Sequence, residues 1–194
     1  MGSVIGRAQG YLRRLLMPLG FEFYLRMDDR RVLEKIILPY FQRRDDTGRV
    51  LFVGCDWYTR HYESMFPACD YWTLERDPSR ARFGARQHIT ADLAGLGEHF
   101  ENASLDLIVC NGVIGWGLNE PLAIEAAMSA CVGALAPGGA LILGWNDIPE
   151  KMPVPLRDIK ALGVLEVFPP PFQDEIKTAT YNHHTFKVLR RPVF

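Results

Sequence analysis

Five short and almost uninterrupted apolar runs, separated by polar and helix-suited stretches, narrow the fold of this chain more than any other feature. They are RVLFVG at 49–54, YWTLE at 71–75, HITADL at 88–93, LDLIVCNG at 105–112 and ALILGW at 140–145. A strand with one wet face alternates apolar and polar residues, whereas a strand covered on both faces is apolar throughout. Such strands alternating with helical segments predict a mostly parallel sheet wrapped by helices on both faces, an α/β three-layer sandwich. The clearest connecting helix runs from Glu120 to Leu135, with Asn119 as expected N-cap, Pro121 in the first turn and Pro137-Gly138-Gly139 as its stop. Beyond a proline-rich stretch, LEVF at 165–168 and HTFKVLR at 184–190 read as two edge strands joined by a long loop, which makes the expected sheet seven-stranded.

Residues 1–48 have a different texture, with arginines set among apolar residues at helical spacing. They are expected to form a helical extension, and 49–194 the main domain. Tyr11, Leu12, Leu15, Leu16 and Leu19 share one helical stripe; Val32, Leu33, Ile36, Ile37 and Tyr40 share another. The first stripe has two readings: a helix packed over the domain, or a basic amphipathic helix over residues 1–20 resting on an anionic membrane surface. No apolar run approaches the roughly 18 residues of a membrane span, and Gly10, Arg13 and Arg14 interrupt any secretory leader. The expected compartment is the cytoplasm.

Charge and cysteine usage exclude other classes. With 22 Lys+Arg against 23 Asp+Glu the net charge is -1, so the positive field of a sequence-independent nucleic-acid binder is missing and no nucleic-acid partner is expected. The four cysteines, Cys55, Cys69, Cys110 and Cys131, have no CxxC spacing. Neither a zinc site nor any other metal is expected, and a cytoplasmic chain of this size has no need of disulfides.

In doubly wound sheets ligands bind beyond the carboxyl ends of the strands, so the residues just after each run are the candidates for chemistry. After the first run comes Gly54-Cys55-Asp56-Trp57-Tyr58-Thr59. Gly54 permits close approach of a ligand to the backbone, and a helix start behind it would offer free N–H groups. About 20 residues on, Glu75 ends the second run, where a carboxylate can accept hydrogen bonds from both hydroxyls of a ribose. Asp92 after the third run can accept from an exocyclic amine such as adenine N6, with the Leu93 N–H beside it for a ring nitrogen; the alternative role of Asp92 is an N-cap. Asn111 ends the fourth run, either facing the ligand or capping the strand. Asp106 is expected to be structural. Together these residues predict a nucleoside-containing ligand.

This ordered set resembles the class I S-adenosylmethionine-dependent methyltransferases, a Rossmann-like family. RVLFVGCDWY looks like the family's first motif, Glu75 with Asp77-Pro78 resembles the second, Asp92 in TADL is similar to the adenine-contacting acid, LDLIVCNGVIGWGL resembles the fourth-strand motif, and LAPGGALIL resembles the late Pro-Gly-Gly motif. The resemblance spans about residues 49–145 and implies S-adenosylmethionine as cofactor, with Gly54, Cys55, Asp56, Glu75, Arg76, Asp92, Leu93 and Asn111 as its binding residues. The first motif is divergent. Phe52 stands where the family carries an acid that orients the cofactor's methionine amine, a role then vacant or moved to Asp56; Asp56 and Tyr58 replace two further glycines.

The implied activity is methyl transfer to a small-molecule acceptor, since no NPPY-type string follows the fourth strand. The alternatives are a non-catalytic binding protein that kept the fold and an NAD-dependent oxidoreductase or epimerase, the latter weakened by the lack of GxGxxG and Tyr-x-x-x-Lys strings. The sequence singles out no catalytic residue. His61, His183 and His184 are candidate bases. Trp57, Tyr58, Trp116 and Trp145 could wall a substrate pocket or pack under loops, and Cys55 and Cys110 read as small core residues.

Overall fold

The computed structural model describes residue 16, residues 23–172 and residues 174–193. Eight strands form one sheet: β1 (Arg49–Val53), β2 (Asp70–Glu75), β3 (Gln87–Thr90), β4 (Leu105–Asn111), β5 (Leu135–Asn146), β6 (Glu166–Val167), β7 (Ile176–Lys177) and β8 (His184–Arg190). Their spatial order is β3-β2-β1-β4-β5-β8-β6, with β7 also paired to β8. The first five are mutually parallel and β8 runs antiparallel between β5 and the short β6 and β7. The eighth strand beyond the expected seven arises because the outer edge is split into two two-residue pieces on one partner. HTFKVLR is accordingly an interior strand rather than an edge, as its burial on both sides requires.

Alternation along the strands assigns two cores. Leu51, Val53, Ile108, Cys110, Leu141 and Leu143 face α3 (Pro121–Ala134), which contributes Ile124, Ala127, Met128 and Cys131. Val50, Phe52, Leu107, Val109, Ile142, Phe186 and Val188 face the other way. They meet the helical segment α1 (Asp28–Val32), which passes through a π-helical turn (Leu33–Ile37) into α2 (Leu38–Gln42). Each large side chain buried in this way contributes about 1.5–3 kcal/mol relative to exposure.

The π-turn corrects the expected second stripe. Val32, Leu33 and Ile37 are buried, but Ile36 is exposed, and Leu38 and Phe41 complete the buried face. An extra residue per turn rotates the succeeding residues about the helix axis, so an extrapolation at 3.6 residues per turn misplaces them. Leu16 apart, the first stripe and the membrane reading of residues 1–20 lie outside the described residues.

Three other boundaries shift. The N-cap of α3 is Glu120, not Asn119, with extended backbone and no side-chain bond; Pro121 occupies the first helical turn, where a missing N–H is harmless. The Pro137-Gly138-Gly139 stop is absorbed into β5 as a bulge: Leu105 pairs with Leu135 and Leu107 with Ala140, so the intervening residues loop out. Between β1 and β4 the connections are the 3-10 helices Arg60–Met65, Pro78–Phe83 and Leu93–Glu98 rather than longer helices. Asp106 is structural, accepting from the backbone N–H groups of Gly48 at 3.0 Å and Arg49 at 2.7 Å. Among the described residues no helix is long and apolar enough to cross a membrane.

Candidate functional site

A cleft of about 500 Å³ opens at the carboxyl ends of β1, β2 and β4, and Gly54, Cys55, Asp56, Glu75, Arg76, Asp92, Leu93 and Asn111 all line it. The convergence follows from topology. Parallel neighbours end on one side of the sheet, and the chain reverses direction across the β1–β4 boundary, which leaves a crevice there.

Within the cleft Glu75 is almost buried and already holds the turns together. Its Oε2 accepts from the Cys55 N–H at 2.9 Å and its Oε1 from the Asp77 N–H at 2.9 Å. A carboxylate has about four acceptor directions, so each oxygen keeps capacity toward the cleft. Gly54 has φ +87°, a left-handed conformation that a side chain would strain. The segment behind it is the 3-10 helix Arg60–Met65 rather than an α-helix, and two of the N–H groups leading into it are used locally. The Asp56 N–H bonds Thr59 Oγ1 at 3.0 Å and the Trp57 N–H bonds Asp56 Oδ1 at 2.7 Å. Asp56 is further engaged by Arg80, whose guanidinium lies 3.2 Å from Oδ2. Asp92 sits at the N-cap of Leu93–Glu98 without making a cap bond, so its exposed carboxylate faces the cleft uncommitted to that helix. Arg76 reaches across the opening and donates to the Gly117 carbonyl at 2.9 Å, pinning the loop after β4.

The aromatic candidates separate. Tyr58 and Trp116 line the cleft. Trp145 is buried in the core under a second groove, and Trp57 meets the Tyr58 ring edge-on at 5.1 Å. Burial pushes the Cys55 thiol up to about 12, so it stays protonated and serves as a small packing residue. Among the described residues no three His, Cys, Asp or Glu side chains are grouped for a metal.

At the far wall stands a polar cluster of which sequence reasoning named Asn111 and His184 but missed Asn146 and the contact between them. His184, at the start of β8, has Nδ1 2.7 Å from Asn146 Oδ1 and Nε2 2.9 Å from Asn111 Oδ1. Burial pushes its pKa down to about 4, with Asp29 opposing and Arg30 reinforcing the shift. A neutral ring has one N–H and can donate to only one of the two oxygens. The other amide must present its Nδ2, and in Asn111 that group has no other partner to keep it from turning. His184 is therefore a buried spacer between two amides. Its fellow candidates lie elsewhere: His61 is 3.6 Å from Glu34, and His183, at φ 51°, is not among the lining residues.

Asn111 fits only because residue 144 has no side chain: a Cβ there would lie 2.1 Å from Asn111 Oδ1 and 2.8 Å from Phe186 Cε1. Gly144→Ala is therefore expected to displace Asn111 and lower stability by about 1–3 kcal/mol, the usual range for overpacking. Urea unfolding monitored by tryptophan fluorescence measures this; an unchanged midpoint would contradict it.

The residues that no motif announced are Asp29 and Arg30 of α1. Both are buried, both line the cleft, and Arg30 Nε lies 3.5 Å from Asp29 Oδ2. Asp29 Oδ1, Arg30 Nε and Asn182 Oδ1 are buried side-chain atoms without a hydrogen-bond partner, and all three belong to residues lining this one cleft. Native interiors leave few such atoms. Their concentration marks a place built for a polar ligand.

With its final antiparallel strand inserted beside β5, the fold is similar to that of solved methyltransferase structures. The N-methyltransferase NodS from Bradyrhizobium japonicum WM9 superposes with a TM-score of 0.63 at 17% identity, covering 86% of this chain and 99% of that chain. This is the class I methyltransferase fold. A second NodS structure, in complex with S-adenosyl-L-homocysteine, matches at TM-score 0.60 and 19% identity over 86% of this chain and 93% of that one. A SAM-dependent methyltransferase from Archaeoglobus fulgidus matches at 0.58 and 13% identity over 84% and 93%. No family model and no curated protein matches the sequence.

Proposed function

We propose that this methyltransferase-fold chain binds S-adenosylmethionine in the cleft and transfers its methyl group to a small-molecule acceptor. The observation that carries the reading is the convergence of the Gly54 turn, the Glu75 carboxylate and Asp92 along one cleft at the switch point. A neighbour of the same fold bound to S-adenosyl-L-homocysteine supports it. The cleft volume falls within the roughly 300–1,000 Å³ of small-molecule sites, and the unpartnered buried atoms on its walls fit a ligand with several polar groups.

In this reading Glu75 accepts from the ribose hydroxyls while its two backbone bonds keep it oriented. Asp92 accepts from the adenine amine, and the Leu93 N–H serves a ring nitrogen. Gly54 lets the backbone come close where a side chain would intervene, and Cys55 and Asp56 line the same turn. Arg76 holds the loop after β4 over the opening, and Asn111 marks the floor on the acceptor side. The cofactor supplies an electrophilic methyl group on a sulfonium centre. Displacement there depends on alignment and exclusion of water more than on proton transfer. With both nitrogens of His184 directed at amides, the acceptor is expected to present an atom that is nucleophilic without a histidine base. The balanced net charge favours a small acceptor over a nucleic acid.

Calorimetric titration tests this. S-Adenosylmethionine and S-adenosylhomocysteine are expected to bind saturably at one site, and NAD not at all. Absence of heat with both methyl-donor ligands would overturn the reading.

A further inference from the structure

We propose that Asp29 and Arg30, carried into the cleft by α1, together form a zwitterion clamp that holds the α-amino and α-carboxylate groups of the methyl donor. The inference rests on the methyl-donor reading and names residues outside every motif that suggested it.

The Asp29–Arg30 ion pair is badly made as it stands. The two residues are 5% and 7% exposed, and their closest approach is 3.5 Å, too long for a good hydrogen bond. Asp29 Oδ1 and Arg30 Nε have no hydrogen-bond partner. Buried charges with open hydrogen-bonding positions are unfavourable unless something completes them.

Each group is nevertheless held in place. The Arg30 guanidinium lies 4.6 Å from the centre of the Tyr58 ring, and its Nη1 is 3.4 Å from Tyr62 Oη. Tyr62 in turn donates to Glu34 Oε1 at 2.8 Å. α1 is tied down at Asp28, whose Oδ2 accepts from the Ala179 N–H at 2.8 Å. The pair is thus preorganised but incomplete, which is the state expected of a binding group awaiting a ligand.

The missing partner has a definite chemistry. An unpartnered carboxylate oxygen calls for a cationic or neutral donor, and an unpartnered guanidinium N–H calls for an anionic acceptor. Two such groups on adjacent residues suit an ammonium and a carboxylate on one carbon, an α-amino acid. The methyl donor carries one. Location agrees, because Tyr58 and Tyr62 lie just beyond the Gly54 turn. β1 supplies no acid of its own there: Phe52 is packed into the core with its ring 5.1 Å from that of Tyr62. Asp56 is already taken by Arg80 and the Trp57 N–H. An acid for the ammonium therefore has to come from α1.

The test compares S-adenosylhomocysteine with 5′-methylthioadenosine, which has the adenosine and the thioether but no amino-acid carbons, by calorimetry on the full chain. The wild type is expected to prefer S-adenosylhomocysteine by at least about 50-fold, as two charge-assisted contacts allow. Asp29→Asn and Arg30→Gln are each expected to weaken S-adenosylhomocysteine at least about tenfold while 5′-methylthioadenosine stays within about twofold. Retained 5′-methylthioadenosine binding shows that each variant is folded. A wild type that does not distinguish the two ligands overturns the clamp without any variant, and so do variants that leave S-adenosylhomocysteine unaffected. Variants that lose both ligands equally overturn it too, since they would mark the pair as structural. If neither ligand binds the wild type, the methyl-donor reading itself falls, a separate and recognisable result.

Discussion

Glu75→Ala is expected to reduce affinity for S-adenosylhomocysteine by at least about 100-fold, the equivalent of about 2.7 kcal/mol. The size of the effect comes from two losses that arrive together. The ribose hydroxyls lose a carboxylate acceptor, worth about 1.5–3 kcal/mol for hydrogen bonds to a charged group. The Cys55 and Asp77 N–H groups, both bonded to this carboxylate at 2.9 Å, are left without a partner, and the turn beside Gly54 loses its anchor to β2. Glu75→Gln separates the two. Its amide oxygen can keep one of the backbone bonds, while its NH2 group faces the other N–H as a donor. The expected order of affinity is wild type, then Gln, then Ala, with S-adenosylhomocysteine and 5′-methylthioadenosine falling in parallel because both carry the ribose. Calorimetry reads all three. An Ala variant within about threefold of the wild type would remove Glu75 from the site.

Stability is expected to fall by up to about 3 kcal/mol as the pH drops from 7 to 4, beyond the acid dependence of the carboxylates, and His184 is the cause. Burial pushes its folded pKa down to about 4 from an ordinary value of 6.5. Between those two values the unfolded chain binds a proton that the folded chain refuses, so acid favours unfolding. The stabilisation is complete above pH 6.5, rises with pH through the window, and is gone below the folded pKa. His184→Gln cannot titrate there, so its unfolding free energy plotted against pH should be flatter than the wild type's between pH 4 and 6.5. Urea denaturation at half-unit pH intervals measures the difference, and parallel curves for the two proteins would contradict the assignment. With both ring nitrogens engaged by amides, the ring is a spacer that sets the Asn111 amide rather than a proton acceptor for substrate.

Much of this protein is legible in one dimension because burial on both faces leaves a direct mark on a strand. VLFV, LIVC and ALILGW have no solvent-facing positions to fill, so their place in a mostly parallel sheet covered on both faces can be inferred. Glycine and acidic residues placed just after such runs can be read as neighbours along one cleft, because a parallel sheet gathers all its carboxyl ends on one side. Other features depend on register or local geometry. The π-turn at 33–37 exposes Ile36 and buries Phe41, against a 3.6-residue periodicity. The bulge at 136–139 turns an expected helix stop into strand. The two-residue strands β6 and β7 owe their existence to β8 rather than to their own composition.

The sequence by itself determined the layered α/β fold, the place of the cleft and eight of the residues that line it, because these follow from hydrophobic pattern and from the residues standing next to it. Only the tertiary structure decided that Asp29 and Arg30 enter that cleft, that His184 lies between Asn111 and Asn146, and that Asp56 is engaged by Arg80. Asp56 and Arg80 are 24 positions apart and Asn111 and His184 are 73 apart. No local periodicity records which distant groups a fold will bring within hydrogen-bonding distance.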